Sequence, residues 1–232
     1  MFFISPPFGN WFIFKNSKPI VGSFTLEPRP GLLGQIFRTL RYSEKHEGWV
    51  NKIGLRNEGI DVGIQKYKNC PGSVLSIAIL KEEEIPKLVK KIPPHFVLEI
   101  NISCPNLDSH EDTTNFEGFN LFTNQQSEWC IVKIPPLATN ELIDKIVDFG
   151  FKQIHASNTL PTEKGGLSGK VLIDHTLRII DYVKTNHSHI EIIAGGGVYS
   201  KQDAQNYIDA GADHISLGTV CFTPWKLKRI IN

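Results

Sequence analysis

The chain has 232 residues, 41% of them hydrophobic and 21% charged, with a formal net charge of +1. This balance excludes a disordered chain and gives no electrostatic reason to expect nucleic acid or an anionic membrane surface as a partner. No apolar run is long enough to span a bilayer, and the four cysteines (Cys70, Cys104, Cys130 and Cys221) contain no C-x-x-C pair, so neither a zinc site nor a disulfide framework is expected and a cytoplasmic location is the simplest.

Met1 to Ile4 is apolar but lacks a basic flank and stops at Pro6-Pro7, so it reads as a first strand and not as a signal peptide. Residues 1–72 are the least regular part of the chain. Within them, residues 12–18 are too short and too aromatic for a helix, residues 20–23 form a short strand, and residues 25–31 and 49–59 read as loops. From residue 73 the pattern alternates. A strand at 73–79 precedes a helix at 81–91 with acids in its first turn and lysines in its last, which suits the helix dipole. The next strand, 96–102, is followed by a polar segment at 107–128. Then come a strand at 130–134, a helix at 139–149, a strand at 152–156, a glycine-rich loop at 165–169 and a helix at 175–185. The series ends with a strand at 191–194, a helix at 201–210, a strand at 214–217 and a helix at 224–231.

Strands alternating with helices imply parallel pairing. About six strands after residue 73 and two or three before it predict a (β/α)8 barrel, an α/β fold in one domain spanning 1–232, with shortened first βα units. An open doubly wound sheet is the alternative, but its glycine fingerprint belongs after the first strand and here the glycine clusters come late.

Each polar cluster falls after a predicted strand: Ser5, Ser23, Asn51, Asn101 to Asn106, Lys133, Asn158-Thr159, Gly195 to Gly197, and Gly218-Thr219. In a barrel these ends share one rim, where sites are built. Glycines after the last two strands let backbone N–H groups approach a phosphate, as on a phosphorylated substrate or a flavin mononucleotide (FMN). Glycines serving only as tight turns are the plainer reading. Lys133 ends an apolar strand; it either snorkels to the surface or stabilises negative charge on a reduced flavin. Cys104, between Asn101 and Asn106, is either a buried thiol or an acid/base group. His155 sits just below the rim and is expected to pack. No histidine spacing suggests a metal site.

These motifs resemble the dihydroorotate dehydrogenases, FMN enzymes of pyrimidine biosynthesis. The likeness is carried by Asn101-Ile-Ser-Cys-Pro-Asn106, Val132-Lys133-Ile-Pro-Pro136, Ser157-Asn158-Thr159, Gly165-Gly-Leu-Ser-Gly-Lys170, Gly195-Gly-Gly-Val198, Leu217-Gly218-Thr219 and the loop Asn51 to Asn57. The resemblance implies that Cys104 is the general base and that Asn51, Gly54, Leu55, Asn106, Asn158 and Thr159 hold dihydroorotate or orotate. It further implies that Ser5, Gly22, Ser23, Asn101, Lys133 and Ser157 contact the flavin. Ser168, Gly169, Gly196, Gly197, Gly218 and Thr219 would hold its phosphate end. A possible homodimer is expected by analogy.

The sequence departs from the family in three respects. Gly22 stands where the soluble class carries a lysine, and Phe8-Gly9-Asn10 stands where the membrane class does; Lys15, Lys18 and Lys52 are candidate substitutes. Pro6-Pro7 replaces small residues that approach the flavin. No membrane-docking helices precede the first strand. Cys104 is a feature of the soluble class, whereas the Gly165 to Lys170 sequence is similar to the membrane class. Two other activities stay open: an FMN-dependent reductase of a related pyrimidine, and a non-catalytic flavin- or pyrimidine-binding relative.

Overall fold

The computed structural model describes residues 1–102, 117–125 and 129–232. Eight parallel strands close into a barrel: β1 (Phe2–Ile4), β2 (Ser17–Phe24), β5 (Val74–Ala78), β6 (Val97–Asn101), β7 (Cys130–Ile134), β8 (Gln153–Ala156), β11 (Glu191–Gly195) and β12 (His214–Leu217). β1 pairs with both β2 and β12, which closes the ring. The predicted (β/α)8 barrel is therefore the observed fold, with six of its strands falling after residue 73.

Helices α3 (Ile85–Lys91), α5 (Asn140–Asp148), α6 (Ile173–Asn186), α7 (Lys201–Asp209) and α8 (Pro224–Ile231) cover the barrel. Their apolar stripes bury Leu88, Ile143, Ile146, Ile180, Tyr207 and Leu227 against the outer faces of the strands. Thr139 and Ser200 cap α5 and α7 by accepting from the backbone N–H three residues on.

The barrel interior is layered. Phe3, Ile20, Val74, Ile131 and Ile193 form a separate apolar plug, with Trp129 and Val97 packed against it. Side chains two apart on a strand share a face, so the next inward positions are Ser5, Gly22, Ser76, Lys133 and Gly195. Every one is polar or small. The plug thus shuts the barrel from below, and a polar layer opens toward the C-terminal rim.

The first third of the chain departs from expectation. α1 (Leu32–Thr39) and α2 (Ile60–Tyr67) were not predicted. Gly34 and Gly63 weaken their local signal; α1 does carry an apolar stripe at helical spacing (Leu32, Leu33, Ile36, Phe37), although it buries no residue. Residues 48–51, read as loop, form β4 (Gly48–Asn51). The glycine-rich segment 165–169, also read as loop, forms β10 (Gly165–Gly169). With β3 (Arg41–Ser43) and β9 (Leu160–Thr162) they make a small antiparallel sheet ordered β3-β4-β10-β9. Glycine is a poor strand former, but here it permits close packing of β10 on β4. The polar segment 107–128 contains α4 (Asn120–Gln125), and the helix predicted at 81–91 opens as a 3-10 turn at Glu82–Glu84.

Candidate active site

Two adjoining cavities, of about 200 and 670 Å³, open at the C-terminal rim and share Asn51, Lys133, Asn158 and Thr159 in their walls. The smaller is lined by Ser5, Ser157, Ser168, Gly169, Gly196, Gly197, Gly218 and Thr219. The larger takes in Gly22, Ser23, Leu55 and Asn101. Of the predicted site residues that are described, only Gly54 lines neither; it anchors the wall instead, its carbonyl accepting from Arg29 Nε at 3.2 Å. Cys104 and Asn106 lie outside the described residues.

The small cavity has a backbone cradle. Gly196 has φ +90°, and a Cβ there would lie 2.6 Å from Leu172 Cβ; at Gly197, with φ +72°, a Cβ would lie 2.6 Å from Ile173 Cγ1. No side chain fits at either position, so the floor is bare peptide. The cradle is fixed from behind: the Gly196 carbonyl accepts from Tyr207 Oη at 2.7 Å and the Gly195 carbonyl from Thr176 Oγ1 at 2.9 Å. Thr219 Oγ1 accepts from Tyr199 Oη at 2.8 Å. Burial raises both tyrosine pKa values, so both phenols stay protonated donors. Ser168 Oγ donates to the Trp49 carbonyl at 3.0 Å, tying the small sheet to the cavity wall.

From the cavity wall into the barrel interior runs a hydrogen-bonded chain of side chains. Asn158 Nδ2 donates to Asn101 Oδ1 at 3.0 Å, and Asn101 Nδ2 to Ser23 Oγ at 3.2 Å. Ser23 and Ser76 share a hydroxyl bond of 2.8 Å, and Ser76 Oγ donates to Glu99 Oε1 at 2.8 Å. Glu99 Oε2 lies 2.6 Å from His155 Nδ1. In register Asn101 stands opposite Lys133, and Lys133 opposite His155. His155 therefore does pack, as expected, but around an ion: Glu99 and His155 are fully buried. Burial alone would raise the Glu99 pKa; His155, Lys133 and Ser76 outweigh it and hold the carboxyl below its ordinary range. Burial, helped by Lys133, pushes His155 below the ordinary imidazole value against the pull of Glu99. The state consistent with both is ionised Glu99 and neutral His155 with its proton on Nδ1. Glu99 was read only as part of a buried strand; an acid at an inward position of an apolar run was the available signal.

Position 22 leaves no room for the lysine that the resemblance leads one to expect there. Its φ is +111°, and a Cβ would stand 2.6 Å from the Ser76 carbonyl oxygen and 2.9 Å from the Phe24 nitrogen. A side chain has no room there. The candidate substitutes do not fill the gap either: Lys18 sits at the other end of the barrel over the Trp129 ring, and neither Lys15 nor Lys52 lines the cavities. The cations in the wall of the larger cavity are Lys133, Arg29, Arg56 and Lys66. Arg29 and Asn57 exchange backbone hydrogen bonds of 2.9 and 2.8 Å, which join loop 25–31 to loop 52–59. Arg56 Nη1 donates to the Pro30 carbonyl at 3.3 Å, while its Nε is buried with no hydrogen-bond partner. Sequence reasoning missed both arginines, although Arg56 sits inside the loop matched to the family.

Among the described residues no group of His, Cys, Asp and Glu could hold a metal ion, and no helix is long and apolar enough to cross a membrane. Burial pushes the thiols of Cys130 and Cys221 up to about 12, so neither is a usable base.

The family model described as dihydroorotate dehydrogenase matches residues 11–232. The catalytic subunit of dihydroorotate dehydrogenase B (NAD(+)) from Desulforamulus reducens is 30% identical, over 92% of this chain and 78% of that one. The same subunit from Thermotoga maritima is 29% identical, over 88% and 82%. In fold, the chain is similar to the crystal structure of ligand-free DHODH from Eimeria tenella: the TM-score is 0.70 at 22% identity, covering 91% of this chain and 74% of that one. With barrel, rim and motif order in agreement, the chain belongs to the dihydroorotate dehydrogenase family.

Proposed function

We propose that this protein is an FMN-dependent oxidoreductase that oxidises dihydroorotate to orotate in pyrimidine biosynthesis. The observation that carries the reading is the shared mouth: a side-chain-free cradle at Gly196 and Gly197 opens beside a cavity walled by Asn51, Asn101, Lys133, Asn158 and Thr159. The cradle suits a phosphate that needs backbone donors, and the joined cavities give room for a flat ring system beyond it. When bound, FMN supplies the acceptor for the hydride from the substrate ring.

The chain's own groups do the rest. Gly196, Gly197, Gly218 and Thr219 hold the phosphate end, with Ser168 and Gly169 beside them. Asn101 and Lys133 face the ring, and the Lys133 ammonium stabilises negative charge that develops on it. Ser5, Gly22, Ser23 and Ser157 line the ring's edge. Asn51, Leu55, Asn106, Asn158 and Thr159 orient the substrate, and Gly54 holds their loop. Cys104 takes the substrate proton. Arg29 and Arg56 put positive charge on the substrate side, the sign an anionic carboxylate requires, where Gly22 provides none. The relatives named as catalytic subunits support a companion protein as electron acceptor. The four cysteines have no iron–sulfur ligand spacing in the sequence.

The test is anaerobic. Purified protein binds FMN and turns yellow, and dihydroorotate bleaches it. Substituting Cys104→Ala slows bleaching by about 100-fold or more, the loss expected for a general base. A protein that binds no FMN, or whose flavin is reduced by NADPH and reoxidised by a uracil-type substrate but is never reduced by dihydroorotate, refutes the reading.

A further inference from the structure

The activity proposed above uses Lys133 but gives no work to the buried acid and imidazole beside it. A lysine ammonium in a barrel interior needs a nearby counter-ion, since removing an isolated charge from water is costly. Lys133 is only 7% exposed. Glu99 supplies the opposite charge, and the influence of Lys133 on both Glu99 and His155 places the three within electrostatic reach. A bare carboxylate would do more than balance the ammonium. It would draw it down as a hydrogen-bond donor, away from the mouth.

We propose that Glu99 and His155 are positioning residues for Lys133: with Ser76 Oγ on one oxygen of Glu99 and His155 Nδ1 on the other, the carboxylate balances the ammonium from within the barrel while the ammonium stays directed at the rim. The placement follows from the strands. Glu99 lies one inward step before Asn101, and Asn101, Lys133 and His155 are neighbours in register. Lys133 accordingly lines both cavities. The ring lies against Gly195, where an added Cβ would stand 3.4 Å from His155 Nε2. His155 Nε2 is buried without a hydrogen-bond partner, which suits a ring used for its Nδ1 donor alone.

The proposal rests on the flavin reading for its consequence but not for its geometry, and the experiment separates them. Protein loaded with FMN is titrated with sulfite, which adds to bound flavin more tightly when positive charge stands near the ring's pyrimidine edge. In His155→Leu one Glu99 oxygen is freed, Lys133 turns onto it, and sulfite affinity falls by about tenfold. His155→Gln restores a donor and returns the affinity to within about twofold of wild type. Equal affinity in all three proteins overturns the proposal, as does a Gln variant as weak as the Leu variant, since ring packing would then be the cause. If the Leu variant does not fold, nitrogen NMR of the wild-type ring decides, with or without FMN. The ring is expected neutral with its proton on Nδ1 between about pH 6 and 8; a charged ring, or one protonated on Nε2, refutes the dyad. Wild-type protein that takes up no FMN defeats the flavin reading instead, and the NMR result still judges the dyad.

Discussion

The two sides of the barrel mouth are built by opposite means. The side after β11 and β12 is built from backbone: Gly196 and Gly197 exclude side chains, and Tyr207, Thr176 and Tyr199 hold the peptide groups and Thr219 in place. The side formed by loops 25–31 and 52–59 is built from long side chains, with Arg29 and Arg56 spanning from one loop to the other. A backbone cradle tolerates no addition, because the missing Cβ is the feature being used. A wall of side chains can exchange one cation for another as long as the charge remains. The positions where the sequence departs from the expected family pattern are not confined to one side: Gly22 lines the larger cavity, whereas Pro6 and Pro7 follow β1 and line both.

The largest effect that would sharpen this contrast is at the cradle. Gly196→Ala puts a Cβ 2.6 Å from Leu172 at a φ that L-residues avoid. FMN affinity should fall by about 100-fold, close to 3 kcal/mol, measured by fluorescence quenching of added FMN. An alanine variant that binds within a few-fold of wild type would mean the backbone there is not the recognising element. Next is Gly22→Lys, which places there the residue that the resemblance leads one to expect. With the Ser76 carbonyl 2.6 Å from the new Cβ, the fold should lose about 2–3 kcal/mol, visible as a lower Tm. A gain in flavin reduction without loss of stability would show that the site was merely missing its lysine.

The two sides were also unequally legible. The β11 and β12 loops could be read directly, because Gly195 to Gly197 and Gly218-Thr219 follow clear apolar strands in a regular βα series. The eight-strand closure was equally readable from that series. On the other side the signals conflict. α1 does carry apolar residues at helical spacing, Leu32, Leu33, Ile36 and Phe37, but Gly34 interrupts the run and the stripe buries nothing. β4 and β10 pair across more than a hundred residues, as Ser168 Oγ on the Trp49 carbonyl illustrates, and local propensity carries no trace of such a contact. The Glu99–His155 pair was half visible: an acid in an apolar strand and a histidine below the rim, with register needed to join them.

That pair makes a further, smaller prediction about pH. Glu99 titrates lower when folded, so its stabilising contribution is present at neutral pH and is lost as pH falls through its folded value. His155 also titrates lower when folded, from an ordinary value of 6.5. Below 6.5 the unfolded chain therefore binds more protons than the folded one, and stability drops as the solution is acidified. Both groups act in the same direction. Tm should decline from pH 7 toward pH 5, and His155→Gln should flatten the part of the decline that begins near 6.5. A decline of equal slope in the Gln variant would assign it to other groups.

The smallest effect on the fold, and the one that most directly tests the side-chain wall, is expected at Arg56. Its Nε is buried without a partner and its guanidinium holds loop 25–31 only through the Pro30 carbonyl, a single long hydrogen bond at a part-exposed position. Removing it should cost stability no more than about 0.5–1 kcal/mol. If the guanidinium faces an anionic substrate, the loss should instead appear in KM. Arg56→Ala should raise KM for dihydroorotate by about tenfold with FMN content and kcat little changed, because a charge that binds substrate and transition state alike affects KM alone. Arg56→Lys should recover most of that loss, since the wall needs a cation more than a particular fork of donors. An alanine variant with unchanged KM would pass the role to Arg29. Failure at both positions would leave the substrate's charge to the backbone N–H groups of the 52–59 loop, and the contrast between the two sides of the mouth would disappear, both then being built from peptide.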